Sequence, residues 1–135
     1  MEFSTALRIS ASGMSASRER VSLSSSNLAN AETTRGPDGG PYKRLDPVFE
    51  AVPLDDVSGA AGVRVSEVKA DPSEGATVYM PGHPDADERG FVRMPNVNPV
   101  HEVVNLLSAQ RGYEANASAA DTVKTMAQRA LDIMR

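Results

Sequence analysis

Proline is confined to the middle of this chain. All nine prolines of the 135-residue sequence fall between Pro37 and Pro99, and eight of the ten glycines lie between Gly36 and Gly90. Because proline removes a backbone donor and clashes with the preceding helical turn, long helices are restricted to the two ends. We therefore predict a mainly α protein in which a small β insertion separates an N-terminal helix from a C-terminal helix.

The composition divides the chain at about the same places. We expect residues 1–30 and 98–135 to form one α-helical domain, in which the two helices pack as a coiled-coil-like pair. Residues 31–97 are expected to form a short β-hairpin and loop element. A pair of helices leaves much apolar surface in water, so we expect neighbouring copies of the chain to cover it by polymerisation.

The first 30 residues carry a heptad pattern. Leu7, Met14, Val21 and Leu28 recur every seven residues, which places them on one stripe of a helix that packs against a partner. Small residues flank this stripe and permit a close approach between helices. Nine serines among the first 26 residues lower the helix propensity, so packing is expected to supply the order.

The C-terminal helix is predicted to begin at Asn98 and Pro99, because asparagine is a good N-cap and proline is tolerated at the first helical position. Two positions of a heptad then repeat, mostly with small residues. The first position holds Leu106, Tyr113, Ala120, Ala127 and Met134, and the second holds Ala109, Asn116, Val123 and Ala130.

Short strands are predicted in the middle of the chain. Four segments rich in β-branched and aromatic residues are bounded by proline, glycine and aspartate, as expected for a hairpin pair or small sheet. They are Val48–Val52, Val63–Val65, Thr77–Met80 and Phe91–Met94.

Composition excludes several functions. The chain has no cysteine, so it offers no disulfide and no thiolate ligand or nucleophile. A net charge of −4 disfavours nucleic acid as a partner. We expect no cleavable signal, because the N-terminus lacks a basic and an apolar region, and no membrane span, because no apolar run is long enough. No Gly-x-Ser-x-Gly elbow indicates a serine hydrolase, and no small-molecule substrate is expected.

One segment suggests a metal site. His83, Asp85, Asp87 and Glu88 lie close together in the sequence, which leaves open a metal-dependent hydrolase that uses the first three. Read as a calcium loop, the segment places Arg89 where a ligand belongs and lacks the final glutamate. We therefore favour a turn with solvated carboxylates, and we predict no enzyme activity, no bound metal and no cofactor.

The helix end at residues 26–30 resembles a known signature. The residues Ser-Asn-Leu-Ala-Asn, followed by Thr33 and Thr34, are similar to the N-terminal segment of the rod and hook family of bacterial flagellar axial proteins. Leu28 would be the last residue of the apolar stripe. Asn30 is expected to take the left-handed cap conformation and to bond the backbone groups left free there.

Longer strings resemble proximal-rod members of the same family. They are TRGPDGGPYKR at 34–44, VYMPGHPDAD at 78–87, GFVRMPNVNPV at 90–100 and QRGYEAN at 110–116. This resemblance implies a subunit of the periplasmic rod of the flagellar basal body that transmits torque and conducts export. It also implies export by the flagellar type III system without cleavage. The implied partners are copies of the chain itself, other proximal-rod proteins, the rod-to-ring adaptor and the export apparatus.

Two alternatives remain beside the rod subunit. One is another exported helical polymer, such as a needle or filament-junction subunit, and the other is the hydrolase considered above. For a rod subunit, we predict an assembly interface along the two helical stripes and the asparagine signature. Its residues are Leu7, Met14, Val21, Leu28, Asn27, Asn30, Leu106, Tyr113, Ala120, Val123, Ala127 and Met134.

Overall fold

The computed structural model describes residues 2–54 and 59–134. Met1 and Arg135, the outer limits of the predicted helical domain, lie outside the described residues. In chain order, one long helix precedes four strands and a second long helix follows them. The elements are α1 (Phe3–Ala29), β1 (Leu45–Pro53), β2 (Ala61–Ala70), β3 (Thr77–Tyr79), β4 (Phe91–Arg93) and α2 (Pro99–Ile133).

The two helices pack against each other in opposite directions. Gly13 lies opposite Asn116, where an added Cβ would be 2.6 Å from the amide oxygen. Ser17, one turn further along α1, lies opposite Gly112, where an added Cβ would be 3.1 Å from the serine hydroxyl. Position numbers rise on one helix as they fall on the other, so the pair is antiparallel. The prediction of two long packed helices is confirmed, and their supercoiling stays a prediction.

Small polar residues form the contact line of α1. Ser10, Ser17 and Ser24 recur every seven residues and are buried, as are Thr5, Ala16 and Asn27. Ala109 is the fully buried apolar residue on the facing side of α2. Small side chains let the two backbones approach closely, so the large apolar residues of the predicted stripe lie beside the contact line.

The end of α1 and the start of α2 have clear local causes. The Asn98 side chain accepts hydrogen bonds from the backbone N–H groups of Val100 (3.0 Å) and His101 (3.3 Å), which confirms the predicted N-cap of α2. At the end of α1, the Asn30 amide donates to the Ser26 carbonyl at 2.8 Å. The φ angle of Asn30 is −104°, so the predicted left-handed conformation is wrong. The Ser26 carbonyl also accepts from the backbone N–H of Asn30 at 3.1 Å, so the Asn30 side chain adds a second hydrogen bond at the helix end without that conformation.

The middle of the chain forms two separate hairpins. Strands β1 and β2 pair in antiparallel fashion with an irregularity between Val48 and Phe49, and β3 pairs with β4 in the same manner. All four predicted strands are confirmed. The first two extend beyond the predicted limits to Leu45 and Ala70, because β1 continues through Pro47 and Pro53.

The apolar interior is small. Among the described residues, the buried apolar side chains are Ala16, Ala60, Val92 and Ala109. Larger apolar side chains lie at the surface, as Leu107 (54 % exposed) and Leu131 (63 % exposed) illustrate. Within the described parts of the chain, neither helix contains an apolar stretch of the length that a membrane crossing requires. The two helices expose many large apolar side chains to solvent.

Candidate assembly surface and the contacts that support it

An apolar groove runs between the two helices. Val21 of α1 lines it together with Leu106 and Tyr113 of α2, and the groove has an open volume of about 800 Å³. Arg18 and Glu114 stand at the groove as charged side chains from the two helices. The structure thus brings residues from the two predicted stripes together on one surface.

The groove and the β1–β2 hairpin occupy opposite sides of α1. The hydroxyl of Ser12 accepts a hydrogen bond from the backbone N–H of Val63 at 3.1 Å, which places this side of α1 against the hairpin. Val21 follows Ser12 by nine residues, which is about two and a half turns at roughly 100° per residue. The two side chains therefore project from opposite sides of α1. The hairpin therefore leaves the groove open.

The other predicted interface residues vary in exposure. On α1, Leu7 is 39 % exposed, and Met14 and Leu28 are half-buried beside the α2 contact. On α2, Met134 is 82 % exposed at the helix end. The half-buried α2 members are Ala120, Val123 and Ala127. The apolar members of the predicted interface thus lie at or next to the surface, and their role in assembly stays a prediction.

Asn27 lies inside the subunit instead. Its side chain is 1 % exposed. The amide donates to the Leu45 carbonyl at 2.9 Å, and its oxygen accepts from the Leu45 backbone N–H at 2.9 Å and from the Tyr42 hydroxyl at 2.9 Å. The amide thus pairs with Leu45 as a neighbouring strand would. It joins the end of α1 to the start of β1, so any effect of Asn27 on assembly acts through the fold.

A buried ion pair joins the β insertion to α2. Glu102, which is fully buried, accepts a hydrogen bond from Arg44, and Arg44 also pairs with Asp46. Burial opposes the positive charge of Arg44. The hydrogen bond and negative charge of Glu102, with those of Asp46, outweigh this effect and raise the pKa of Arg44 above its ordinary value. Arg44 therefore carries its positive charge at neutral pH.

The sequence patterns did not reveal this pair. Arg44 and Glu102 are 58 residues apart, and although Arg44 ends the string at 34–44, that string does not point to Glu102. One signal was present: Glu102 precedes Ala109 by seven residues and so occupies the same heptad position, which faces α1. A charged residue at that position requires a partner, because an unpaired buried charge is costly.

The side chain of Asn96 forms further hydrogen bonds around Arg44. Its side-chain oxygen accepts from the Arg44 backbone N–H at 2.7 Å, and its amide donates to the carbonyls of Asp71 and Ser73 at 3.0 Å each. Asn96, which precedes α2, therefore connects the segment before β1 with the segment after β2. This arrangement fixes the β insertion relative to the start of α2.

The carboxylates near His83 accept hydrogen bonds, Asp85 from a distant segment of the chain and Asp87 from its own turn. Asp85 accepts a hydrogen bond from the Thr34 hydroxyl at 2.7 Å and pairs with Arg35. The Thr34 hydrogen bond, followed by the hydrogen bond and charge of Arg35, lowers the pKa of Asp85 below its ordinary value. Asp87 accepts from backbone N–H groups within its own turn. Among the described residues, no three His, Asp or Glu side chains are placed to hold a metal ion.

Further apolar surface lies on the side of α2 that faces away from α1. Val100, Val103, Val104 and Leu107 follow the spacing of one helix face and are between 44 % and 70 % exposed. The α2 helix has 35 residues against 27 in α1, and its last two turns extend past the start of α1. Leu131, Ile133 and Met134 are exposed there.

Two family models match the ends of the chain. The model described as "Flagella basal body rod protein" matches residues 7–37. The model described as "Flagellar basal body rod FlgEFG protein C-terminal" matches residues 88–133. The matches cover most of both helices, the asparagine signature and the β4 strand.

Curated relatives cover nearly the whole chain. The flagellar basal-body rod protein FlgC of Aquifex aeolicus is 44 % identical over 132 residues, which is 98 % of this chain and 97 % of the relative. FlgC of Yersinia enterocolitica is 41 % identical and covers 93 % of this chain and 92 % of its own. FlgC of Bacillus subtilis is 39 % identical, with coverage of 94 % and 95 %.

Proposed function

The chain belongs to the FlgC family of flagellar basal-body rod proteins, and we propose that it polymerises through its terminal helices to build the proximal part of the rod. Membership of this family makes it a structural component of the flagellar basal body and not an enzyme. The observation that carries the proposal is the apolar groove lined by Val21, Leu106 and Tyr113.

The small number of buried apolar side chains and the many exposed ones support assembly through the helices. A subunit whose buried apolar side chains are mostly alanine gains little hydrophobic stabilisation by itself. Neighbouring helices would cover the groove, the outer stripe that starts at Val100 and the end that carries Ile133. Packing of many long helices side by side also suits torque transmission, because it spreads load over a continuous surface.

The proposal includes the location of the protein in the cell and the proteins that it contacts. The rod subunit acts in the periplasm and is exported by the flagellar type III apparatus without a cleaved signal. It contacts other proximal-rod proteins, the rod-to-ring adaptor and the export apparatus, and the assembled rod conducts exported subunits. The support for these statements is the family membership together with the segments at 34–44, 78–87 and 90–100.

Complementation of a deletion strain tests the proposal. Electron microscopy of basal bodies from the strain without this chain should show loss of rod and hook, and the wild-type chain should restore both. The Tyr113→Asp variant should fail to restore them, because it introduces a charge into the apolar groove, where Tyr113 is 38 % exposed.

The matched control is Ser118→Asp, which adds the same charge on an exposed α2 position outside the groove. It should restore swimming. Circular dichroism of both purified variants should show that they fold. Normal rods with Tyr113→Asp would contradict polymerisation through the groove, and intact rods in the deletion strain would contradict the structural role.

A further inference from the structure

The two edges of the β1–β2 hairpin differ in their availability for pairing. Along β1, the Asn27 amide occupies both the N–H and the C=O of Leu45. Pro47 and Pro53 have no N–H to offer at the same edge. Prolines on an edge strand prevent the addition of another strand. The β1 edge is therefore blocked at Leu45, Pro47 and Pro53.

The β2 edge is covered only in part. At Val63, the Ser12 hydroxyl of α1 occupies the backbone N–H. From residue 66 to residue 70, every residue is exposed, including Val68 at 40 %. Glu67 and Lys69 project from this stretch with side chains that are 59 % and 62 % exposed and lie 3.7 Å apart.

The backbone groups of this stretch point in a definite direction. The Asp71 N–H donates to the Arg44 carbonyl at 2.8 Å, and β1 and β2 are paired from Leu45 and Ala70 onward. Hydrogen-bonded and non-bonded pairs alternate in an antiparallel ladder. Val68 is opposite Pro47, which has no N–H, and so belongs to a non-bonded pair. The N–H and C=O of Val68 and Ala70 therefore point outward, and no described residue bonds them.

We propose that this open β2 edge pairs with the same edge of a second copy of the chain, antiparallel and about a two-fold axis at Val68. In this register, Val68 faces Val68 of the second copy as a hydrogen-bonded pair. Glu67 then faces Lys69 of the second copy, and Lys69 faces Glu67, so two opposite-charge pairs form. Both occupy non-bonded positions, where side chains of facing residues are closest.

The charges select this register. Sliding one strand by two residues in one direction places Glu67 opposite Glu67, and sliding it in the other direction places Lys69 opposite Lys69. Like charges directly opposite each other are unfavourable in a sheet. A second copy of this chain satisfies both charges, because its own edge places Lys69 opposite Glu67 and Glu67 opposite Lys69.

The geometry also separates this contact from rod assembly. A two-fold contact uses the same patch on both subunits and closes at two copies, whereas an open filament requires different patches that repeat. The β2 pairing therefore forms between unassembled subunits. It does not involve the apolar groove, so it stands whether or not the groove serves assembly.

Cysteine cross-linking tests the register, and the absence of natural cysteines leaves no background. A Glu67→Cys chain is mixed with a size-tagged Lys69→Cys chain under mild oxidation. We expect the mixed disulfide to form about tenfold faster than the disulfide of either variant with itself, because facing Cβ atoms are close and diagonal ones are about 7 Å apart. Equal rates, or no mixed product at high protein concentration, would overturn the proposal.

Charge exchange provides the second arm. In a Val68→Cys background, which cross-links across the two-fold axis, Glu67→Lys should lower the disulfide yield about tenfold, since it places lysines opposite lysines twice. The double variant Glu67→Lys/Lys69→Glu should restore the yield. All three positions are exposed, and thermal unfolding checks that the fold is retained. Failure of the double variant to restore cross-linking would also overturn the proposal.

Discussion

The replacement of Asn27 by alanine tests how the helical pair is joined to the β insertion. Asn27 makes three side-chain hydrogen bonds of 2.9 Å, two with the backbone of Leu45 and one with the Tyr42 hydroxyl. Truncation removes all three at a site where the side chain is 1 % exposed. It leaves a donor and an acceptor of Leu45 and the hydroxyl of Tyr42 without a partner.

The magnitude follows from these contacts. Each lost hydrogen bond costs about 1 kcal/mol, and a group shut away from water costs more. Leu45 and Tyr42 are half-buried, so water replaces part of what is lost. We expect the free energy of unfolding to fall by about 3 kcal/mol, a large fraction of the roughly 5–15 kcal/mol that stabilises a typical domain.

Urea unfolding followed by far-UV circular dichroism measures this loss. With a typical slope of about 1–3 kcal/mol per molar urea, the midpoint should move down by roughly 1–3 M. Tyr42→Phe removes one of the three bonds and should cost about 1 kcal/mol. Ser25→Ala, at an exposed position of the same helix, should change stability by less than about 0.5 kcal/mol. A loss below about 1 kcal/mol for Asn27→Ala would refute the reasoning.

Three other replacements probe the remaining contacts. Gly13→Ala should lower the unfolding free energy by about 1 kcal/mol, because the added Cβ would lie 2.6 Å from the Asn116 amide oxygen. This steric clash outweighs the gain in helix propensity. A rise in melting temperature would contradict the prediction. Glu102→Gln should cost about 2–3 kcal/mol in urea unfolding at pH 7, because Arg44 loses its buried counter-charge; unchanged stability would argue against the pair. The lowered pKa of Asp85 means that its contribution is complete above about pH 4 and is lost as the pH falls through that lowered value. Asp85→Asn should therefore make stability less dependent on pH in acid, and an unchanged acid limb of the stability curve would exclude this role.

The sequence predicted the elements well where local rules decide them. The absence of proline at both ends predicted the two helices, and the Asn98-Pro99 pair predicted the start of α2. The first predicted strand was too short, because Pro47 and Pro53 were taken as its limits, and the second was also too short. The last two each end one residue earlier than predicted, at Tyr79 and Arg93. Pro47 and Pro53 lie at positions of β1 that face away from β2, where the ladder requires no N–H, so the strand continues through them.

The line along which α1 contacts α2 was harder to predict. The serine stripe and the apolar stripe of α1 both repeat every seven residues and differ only by a small rotation about the helix axis. The large apolar residues of α1, such as Met14 and Val21, suggested the line of helix contact. Ser10 and Ser17 occupy it instead, because close packing of two backbones requires small side chains. The apolar stripe is thereby left beside the contact, where it helps to form the groove.

The sequence by itself determined the order of the elements, the helix limits at Asn30 and Asn98, and the surplus of apolar surface over what two helices can cover. Only the tertiary structure decided which polar residues lie inside. Asn27 is buried because its amide completes the pairing of Leu45, and Glu102 is buried because it meets Arg44 from across the chain. Such partners are set by how the elements pack in space, and neither periodicity nor local propensity contains that information.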